Sequence, residues 1–463
     1  MPRWLGGIAL GMALGFSACS SLPTVNPDLA HNTAHPAGGT VQMEGARGLL
    51  SAEQSKAVLD ALSRRGPDTD IFDRHLSREE AIAGNPLTTD NQVRLLQDGP
   101  ATYAAMFAAI DAAQDHINME TYILEDDEVG QRFAQALIAK QQQGVQVNLI
   151  RDSVGTLGTP EAFFKPLLES GIKVLEFNPV NPLDARKGWD LNQRDHRKLL
   201  IVDGRTAFLG GINISSVYSG GSFSRGTRPR TKDSLAWRDT DIELRGPVVA
   251  DFQKLFLATW ESQKGDALPA RNYFPQPERA GREVVRAIGS SPDEPFSQMY
   301  ATLLSAIGSA ETSVHLTNAY FVPDPQLLAA LEAATARGVD VQLILPSQTD
   351  SWLVFHAGRG YYEQLLRAGV KINERRGVVL HSKTALIDGV WATIGSTNLD
   401  WRSFLHNQEL NAVVLGAGFG RQVQAMFDKD LAASDAITLS EWTRRTLDVR
   451  LKELFARVWA YWL

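Results

Sequence analysis

Cysteine is almost missing from this chain: Cys19 is the only one in 463 residues. A single thiol excludes a disulfide framework and any thiolate-rich metal site. Blocks of positive charge are missing too. Lysines and arginines are scattered and the formal net charge is -7, so the electrostatic footprint of a protein that neutralises a nucleic-acid backbone is absent and no nucleic acid is expected as a partner. Histidine is sparse as well. His31, His35, His75, His116, His315, His356 and His406 read as solvated or core histidines, with no metal expected.

What is present begins at the N-terminus, "MPRWLGGIALGMALGFSACSSLP". One arginine precedes an apolar run from Trp4 to Phe16 that is too brief to span a bilayer comfortably, followed by small residues leading into Cys19. This is the pattern of a secretory signal over residues 1–19. "FSAC" resembles a bacterial lipobox, in which the cysteine becomes the lipidated first residue. An uncleaved anchor and an ordinary signal peptide are the other readings. The expected location is the bacterial cell envelope, membrane-anchored through Cys19 and facing the periplasm.

The length predicts two domains with extras. Residues 20–90 read as a Ser/Pro/Asn/Gly-rich tether followed by short helices, with Ser51/Gln54 and Ser77/Glu80 at capping-box spacing. From about residue 91 the chain repeats itself. "YAAMFAAIDAAQDHINMETYIL" from Tyr103 lines up with "YATLLSAIGSAETSVHLTNAYFV" from Tyr300, each a periodic helix running into an alternating strand. "AKQQQGVQVNLIRD" matches "ATARGVDVQLILP", a helix closed by Gly144 or Gly338 and then a β-branched strand. The expected fold class is α/β, with two similar halves at 91–265 and 296–440, each a mainly parallel sheet flanked by helices. A linker is expected at 266–295, and an amphipathic helix at 441–463. "YSGGSFSRGTRPRTKDS" from Tyr218 reads as a long mobile loop over a site.

The chemistry lies in one pattern that occurs twice, "HRKLLIVD" from His196 and "HSKTALID" from His381. The Asp-Gly pairs Asp203-Gly204 and Asp388-Gly389 are two-residue hairpin signals. Folding the strands back sets His196 near Gly211 and His381 near Ser396, within a residue or two of register. Histidine and lysine two apart on a strand share a face. Each half thus offers an imidazole, an ammonium and nearby amides in one patch. A lysine suits phosphate oxygens, and an imidazole serves as nucleophile or as general acid. Displacement at phosphorus needs a nucleophile on one side and a proton donor on the other. Two copies facing each other across a pseudo-two-fold axis supply both. Asp203 and Asp388 sit in turns on the wrong strand parity and are expected to be structural. The histidine nucleophile needs an orienting carboxylate. Asp239 and Glu409 stand at equivalent places, each seven residues before a glycine, with Asp241 as a competitor.

These residues resemble the phospholipase D superfamily, whose signature is H-x-K-x4-D-x6-G-S-x-N in two copies, over about residues 91 to 435. Within it, "RDHRK", "EFNPVNP", "WRDTDIELRGPVV" and "GSTNLDWRSFLHNQELN" look most like bacterial cardiolipin synthases. The resemblance implies a phosphohistidine on one ring, protonation of the leaving alcohol by the other, and neither cofactor nor metal. It implies phospholipid substrates, with a phosphatidyl group passing from one phosphatidylglycerol to the glycerol hydroxyl of another. His196, Lys198, His381 and Lys383 then form the catalytic set with Asp239 and Glu409 behind the histidines, and Asn213, Ser396 and Asn398 bind substrate. Gly211 departs from the pattern, standing where the signature has serine. His196 is favoured as nucleophile and His381 as acid.

The same residues would serve a phospholipase D hydrolase, in which water takes the second step. A nuclease is disfavoured by the acidic balance and the export signal. A non-catalytic envelope scaffold is disfavoured by the intact His and Lys positions. Trp352, His356 and Arg359 share a face if that stretch is helical, either lining an acyl or headgroup pocket or simply packing. The tail "LDVRLKELFARVWAYWL" puts Leu447, Leu451, Leu454 and Val458 on one stripe beside Phe455, Trp459 and Trp462, flanked by Arg450, Lys452 and Arg457. It reads equally as an interfacial membrane helix or as a helix docked on the domain. The partners expected are phospholipid, a membrane surface and no second subunit.

Overall fold

The computed structural model describes residues 41–67, 69, 71–181, 190, 192–220 and 235–460. Cys19, residues 221–234 of the loop expected from Tyr218, and Trp462 lie outside these residues.

Each half is built on the same succession. In the first, a helix at Gly99–Ala112 starts where the Asp98 side chain accepts the Ala101 amide. The strand His116–Thr121 follows, then the helix Glu128–Gln142 and the strand Gln146–Asp152. In the second, Gln298–Ser309 begins at the Ser297 cap, followed by Ser313–Asn318, Pro325–Ala336 and Asp340–Pro346. Gly144 and Gly338 end the matching helices with the same left-handed φ of 90°, a backbone conformation that costs a side-chain-bearing residue about 1–2 kcal/mol.

The α/β halves hold as expected, but their sheets are mixed rather than mainly parallel. His116–Thr121, Gln146–Asp152 and Lys173–Phe177 run parallel. Leu199–Val202, Thr206–Gly210, Asp241–Arg245 and Leu87–Leu96 then add antiparallel, one after another. The second half repeats this: Ser313–Asn318, Asp340–Pro346 and Lys371–Arg375 are parallel, and Lys383–Ile387, Trp391–Gly395, Asn407–Leu415 and Glu283–Ser290 are antiparallel. The cause is the motif itself, because a short Asp-Gly loop can join only antiparallel neighbours. Leu87–Leu96 pairs with both Asp241–Arg245 and Glu283–Ser290, so the two sheets are continuous.

Four local expectations are corrected. The stretch 266–295 is not a plain linker, since "EVVRAIGS" at Glu283–Ser290 is a sheet strand paired to its neighbours from both halves. Residues 41–49 are not all tether: Met43–Gly45 pairs with Leu87 and Thr88. Ser51 does form a capping box with Gln54, whereas Ser77 lies inside the helix Leu76–Ala83, whose N-cap position is His75. There the carboxylate of Glu80 accepts the Gln42 amide instead. Finally, His116–Thr121 is buried along its whole length instead of alternating, because helices cover both of its faces.

One core belongs to both halves. Ile201, Leu209 and Ile242 from the first meet Ile394, Leu410 and Val414 from the second, with Phe252, Phe256 and Phe419 from the helices Val249–Ser262 and Ala417–Ala432 filling between. That shared packing fixes the mutual position of the two motifs.

Candidate active site

The hairpins differ from the two-residue expectation. Val202 pairs with Thr206 and Ile387 with Trp391, so Arg205 and Val390 join the turns and the register moves by one residue. Asp203 and Asp388 lie at φ 53° and 49°, in the left-handed region, which aspartate tolerates better than most residues. Their carboxylates face away from the histidines. Asp203 accepts the amides of Gln114, Asp115 and His116. Asp388 accepts those of Glu311, Thr312 and Ser313. Each ties the start of a parallel strand to the hairpin beside it.

The histidines precede the hairpin strands and are held by strand pairs that cross between the halves. Arg194–Asp195 runs parallel to Asn407–Gln408, and Trp237–Arg238 runs parallel to Val379–Leu380. The His196 amide donates to the Gln408 carbonyl at 3.0 Å and the His381 amide to the Arg238 carbonyl at 2.7 Å. Next in sequence after those acceptors come Glu409 and Asp239. Each histidine is therefore delivered to the carboxylate of the opposite half. Nδ1 of His196 lies 3.0 and 3.1 Å from the oxygens of Glu409, and Nδ1 of His381 lies 2.7 Å from Oδ2 of Asp239. Asp241 is elsewhere: its Oδ1 accepts the Ile212 amide, and burial next to Asp239 pushes its carboxyl well above the usual range.

The lysines bond back on their own motifs. Nζ of Lys198 donates to the His196 carbonyl at 2.5 Å. Nζ of Lys383 donates to the His381 carbonyl and stands 3.0 Å from Nδ1 of His381. Each ammonium also acts on the imidazole of the opposite motif, so the four groups share one electrostatic environment. All are buried. Burial pushes the His196 imidazole down to about 4, partly offset by Glu409 and reinforced by Lys198. Burial likewise lowers His381, helped by Lys383. It brings Lys198 down to about 7 against the pull of Glu409. Burial works to raise Glu409, but His196, Lys198 and the Ser396 hydroxyl hold it below the usual carboxylate range. The two lysines, buried beside the two imidazoles, offer donors suited to phosphate oxygens.

The flanking residues divide. The Ser396 hydroxyl bonds Oε2 of Glu409 at 2.5 Å, and Asn407 donates to Oε1 at 3.1 Å. Asn213 is used internally, accepting the Ile123 amide and donating to the Tyr218 hydroxyl. Oδ1 of Asn398 is buried without a hydrogen-bond partner, which leaves it available to a ligand. At Gly211 a Cβ would fall 2.3 Å from Oδ1 of Asp239, so the serine of the usual pattern has no room here.

Sequence reasoning missed the aromatic wall. Tyr122 meets His196 edge-on at 5.2 Å, and its ring lies 5.1 Å below the Lys198 ammonium. Tyr320 meets His381 at 6.1 Å, with Trp237 at 5.0 Å and the Tyr218 hydroxyl 3.3 Å from Nδ1. The signal existed, because Tyr122 and Tyr320 end the two aligned helix–strand repeats. Trp352–Arg359 is helical, but its three residues mainly pack. Trp352 and His356 touch at 4.5 Å, and Arg359 lies over Trp442 and pairs with Glu374. A groove of about 900 Å³ runs past Ala105, Ala109 and Arg245 at the turn end of the sheet and contains neither histidine. Among the described residues, no group of three or more His, Cys, Asp or Glu side chains could hold a metal ion.

Two mixed α/β halves, each giving a histidine and a lysine to one buried centre, define a protein of phospholipase D type. In fold the chain is similar to phosphatidylserine synthase from Haemophilus influenzae, with a TM-score of 0.56 at 14% identity, covering 80% of this chain and 94% of that one. In sequence it is 33% identical over 380 residues to a cardiolipin synthase of Geobacillus kaustophilus, covering 81% of this chain and 73% of the relative. It is also 34% identical over 370 residues to cardiolipin synthase 2 of Bacillus anthracis, covering 79% and 70%. The family described as cardiolipin synthase, PLD-like domain, matches at residues 106–219 and 303–431. The chain belongs to that family and is an enzyme of the phospholipase D phosphatidyltransferase type.

Proposed function

We propose that this enzyme condenses two phosphatidylglycerol molecules into cardiolipin and glycerol through a phosphatidyl-histidine at His196. The observation that carries this reading is the crossed bracing of the histidines with its unequal partners. At Nδ1 of His196 stands only the carboxylate of Glu409, an acceptor when ionised. The ring proton is then held on Nδ1, leaving a lone pair on Nε2 to attack phosphorus. At Nδ1 of His381 stand a carboxylate, an ammonium and a phenol. The carboxylate is the nearest at 2.7 Å and accepts the Nδ1 proton of the imidazolium form, whose Nε2 proton is then the one transferred.

In the first step Nε2 of His196 forms a bond to phosphorus as the bond to the glycerol oxygen breaks, and His381 gives its proton to that oxygen. Glycerol departs. In the second step His381 takes the proton from a glycerol hydroxyl of another phosphatidylglycerol, that oxygen bonds phosphorus, and His196 is released. Lys198 and Lys383 hold the non-bridging oxygens, and Asn398 offers its side-chain amide oxygen as an acceptor for a glycerol hydroxyl. Incubation with phosphatidylglycerol and analysis of the lipids tests the reading. Cardiolipin with free glycerol is expected. Phosphatidic acid with free glycerol would replace the synthase by a hydrolase. We also place the enzyme on a membrane of the bacterial envelope, where its substrates reside.

A further inference from the structure

Among the described residues, exposed large apolar side chains concentrate in one element. The C-terminal helix Leu447–Arg457 and the two residues after it leave Leu447, Leu451, Leu454, Phe455, Val458 and Trp459 between 46% and 72% exposed. They recur at the spacing of a single helical stripe. The opposite face does the docking. Glu453, Ala456 and Ala460 are buried, Glu453 pairs with Arg445, and the two alanines sit against Ala357 and Val322. This helix is folded onto the protein with its apolar side outward, the reverse of what a helix serving only the core would do.

Charge and position narrow the occupant. From Arg444 to Trp459 there are five basic and two acidic residues, a local net of +3 in a chain whose total is -7. Basic flanks around an apolar stripe ending in tryptophan suit an anionic lipid surface. The stripe is also linked to the reaction centre. Its helix packs on Trp352–Arg359, whose Ser351 cap follows Asp350. Both oxygens of Asp350 accept the hydroxyl of Tyr320, the ring beside His381. At the matching place in the first half, the loop after Gln146–Asp152 exposes Val154 and Leu157 and lies on the Tyr122 backbone beside His196. Exposed apolar side chains thus stand on both sides of the histidine pair.

We propose that the outward stripe of this helix, together with the loop carrying Val154 and Leu157, docks the enzyme on an anionic phospholipid bilayer so that the site opens against its substrate. The inference rests on the phospholipid reading of the site. The test compares the full chain with a Leu451→Glu, Leu454→Glu, Phe455→Glu triple variant, all exposed positions outside the reaction centre. Hydrogen exchange is followed with and without vesicles of phosphatidylglycerol and phosphatidylethanolamine. Vesicles are expected to slow exchange at 447–460 and 153–158 in the parent chain. That protection is local, so tethering through the N-terminus does not by itself create it. The triple variant is expected to lose it and to lose at least about tenfold in kcat/KM on vesicle phosphatidylglycerol. Its turnover of dispersed short-chain phosphatidylglycerol and its melting temperature should match the parent. Unchanged protection and unchanged vesicle turnover in the variant overturn the proposal. So does a lipid-independent dimer that the triple variant dissolves, which would make a second copy the occupant. Vesicle protection in a parent chain that turns over no phosphatidylglycerol in either form would sink the substrate assignment while leaving the docking surface standing.

Discussion

His196 and His381 occupy equivalent places in two copies of one motif, each edge-on to a tyrosine, yet the groups around Nδ1 differ. Glu409 behind His196 is long, and is itself fixed by Ser396 and Asn407. Asp239 behind His381 is one methylene shorter, crowds Gly211, and shares Nδ1 with Lys383 and Tyr218. Duplication supplied two identical rings, and under the proposed mechanism the changes around them give the rings different work. A symmetrical site would have no basis for choosing which imidazole attacks and which protonates.

The sharpest way to break this comparison is to remove the rings. His196→Ala and His381→Ala should each lower kcat on the order of 10⁴-fold or more, as for other members of a catalytic unit. With a phosphatidyl donor carrying an activated phenol as leaving group, the His381→Ala enzyme should accumulate a phosphatidyl group on His196, because the leaving group needs no acid and the second step lacks its base. The His196→Ala enzyme should accumulate none. Mass spectrometry of the digested protein decides, and the opposite pattern reverses the roles.

A smaller effect separates the two carboxylates. Glu409→Gln and Asp239→Asn should each cost about 10²- to 10⁴-fold in kcat, since an amide can hold the ring in the wrong tautomer. Glu409→Gln should slow the burst of glycerol release with an ordinary substrate. Asp239→Asn should do so much less when the leaving group is activated. Equal responses to leaving-group acidity in the two variants would refute the division of labour.

The Ser396/Gly211 difference can be probed next. Gly211→Ala places a Cβ 2.3 Å from Oδ1 of Asp239 and should cost about 1–3 kcal/mol in stability as an overpacked site. Ser396→Ala removes one hydrogen bond to Glu409 and should slow turnover by about tenfold. Urea titration and steady-state rates measure these. A neutral Gly211→Ala would mean that the backbone here yields more than the packing indicates.

The mildest effect on catalysis is expected at the turns. Asp203→Ala and Asp388→Ala each strip three backbone amides of their acceptor. Each should lose about 1–3 kcal/mol of stability, with kcat per folded molecule nearly unchanged. A large fall in kcat at full stability would give these aspartates a part in the chemistry.

Much of this arrangement was legible beforehand. The spacing of His, Lys, Asp, Gly and Asn identified both motifs, and the helix–strand repeat identified the halves. The strand Glu283–Ser290 was hidden because it follows a Pro- and Gly-rich stretch and only its partners reveal it. The sheet was misjudged because parallel crossovers are conspicuous in sequence, whereas the antiparallel return strands are short. The C-terminal stripe was plain as a pattern, but its direction was not, since periodicity is the same whether the apolar face points inward or out.

The sequence by itself determined which groups are candidates: two imidazoles, two ammonium groups and two carboxylates, the first four set by local spacing along a strand. Only the tertiary structure decided that Glu409 serves His196 and Asp239 serves His381. That pairing depends on strands exchanged between the halves, contacts spanning more than a hundred residues for which no local pattern exists. Hydrogen bonds act over about 3 Å in space, and distance along the chain does not reveal which carboxylate will come that close.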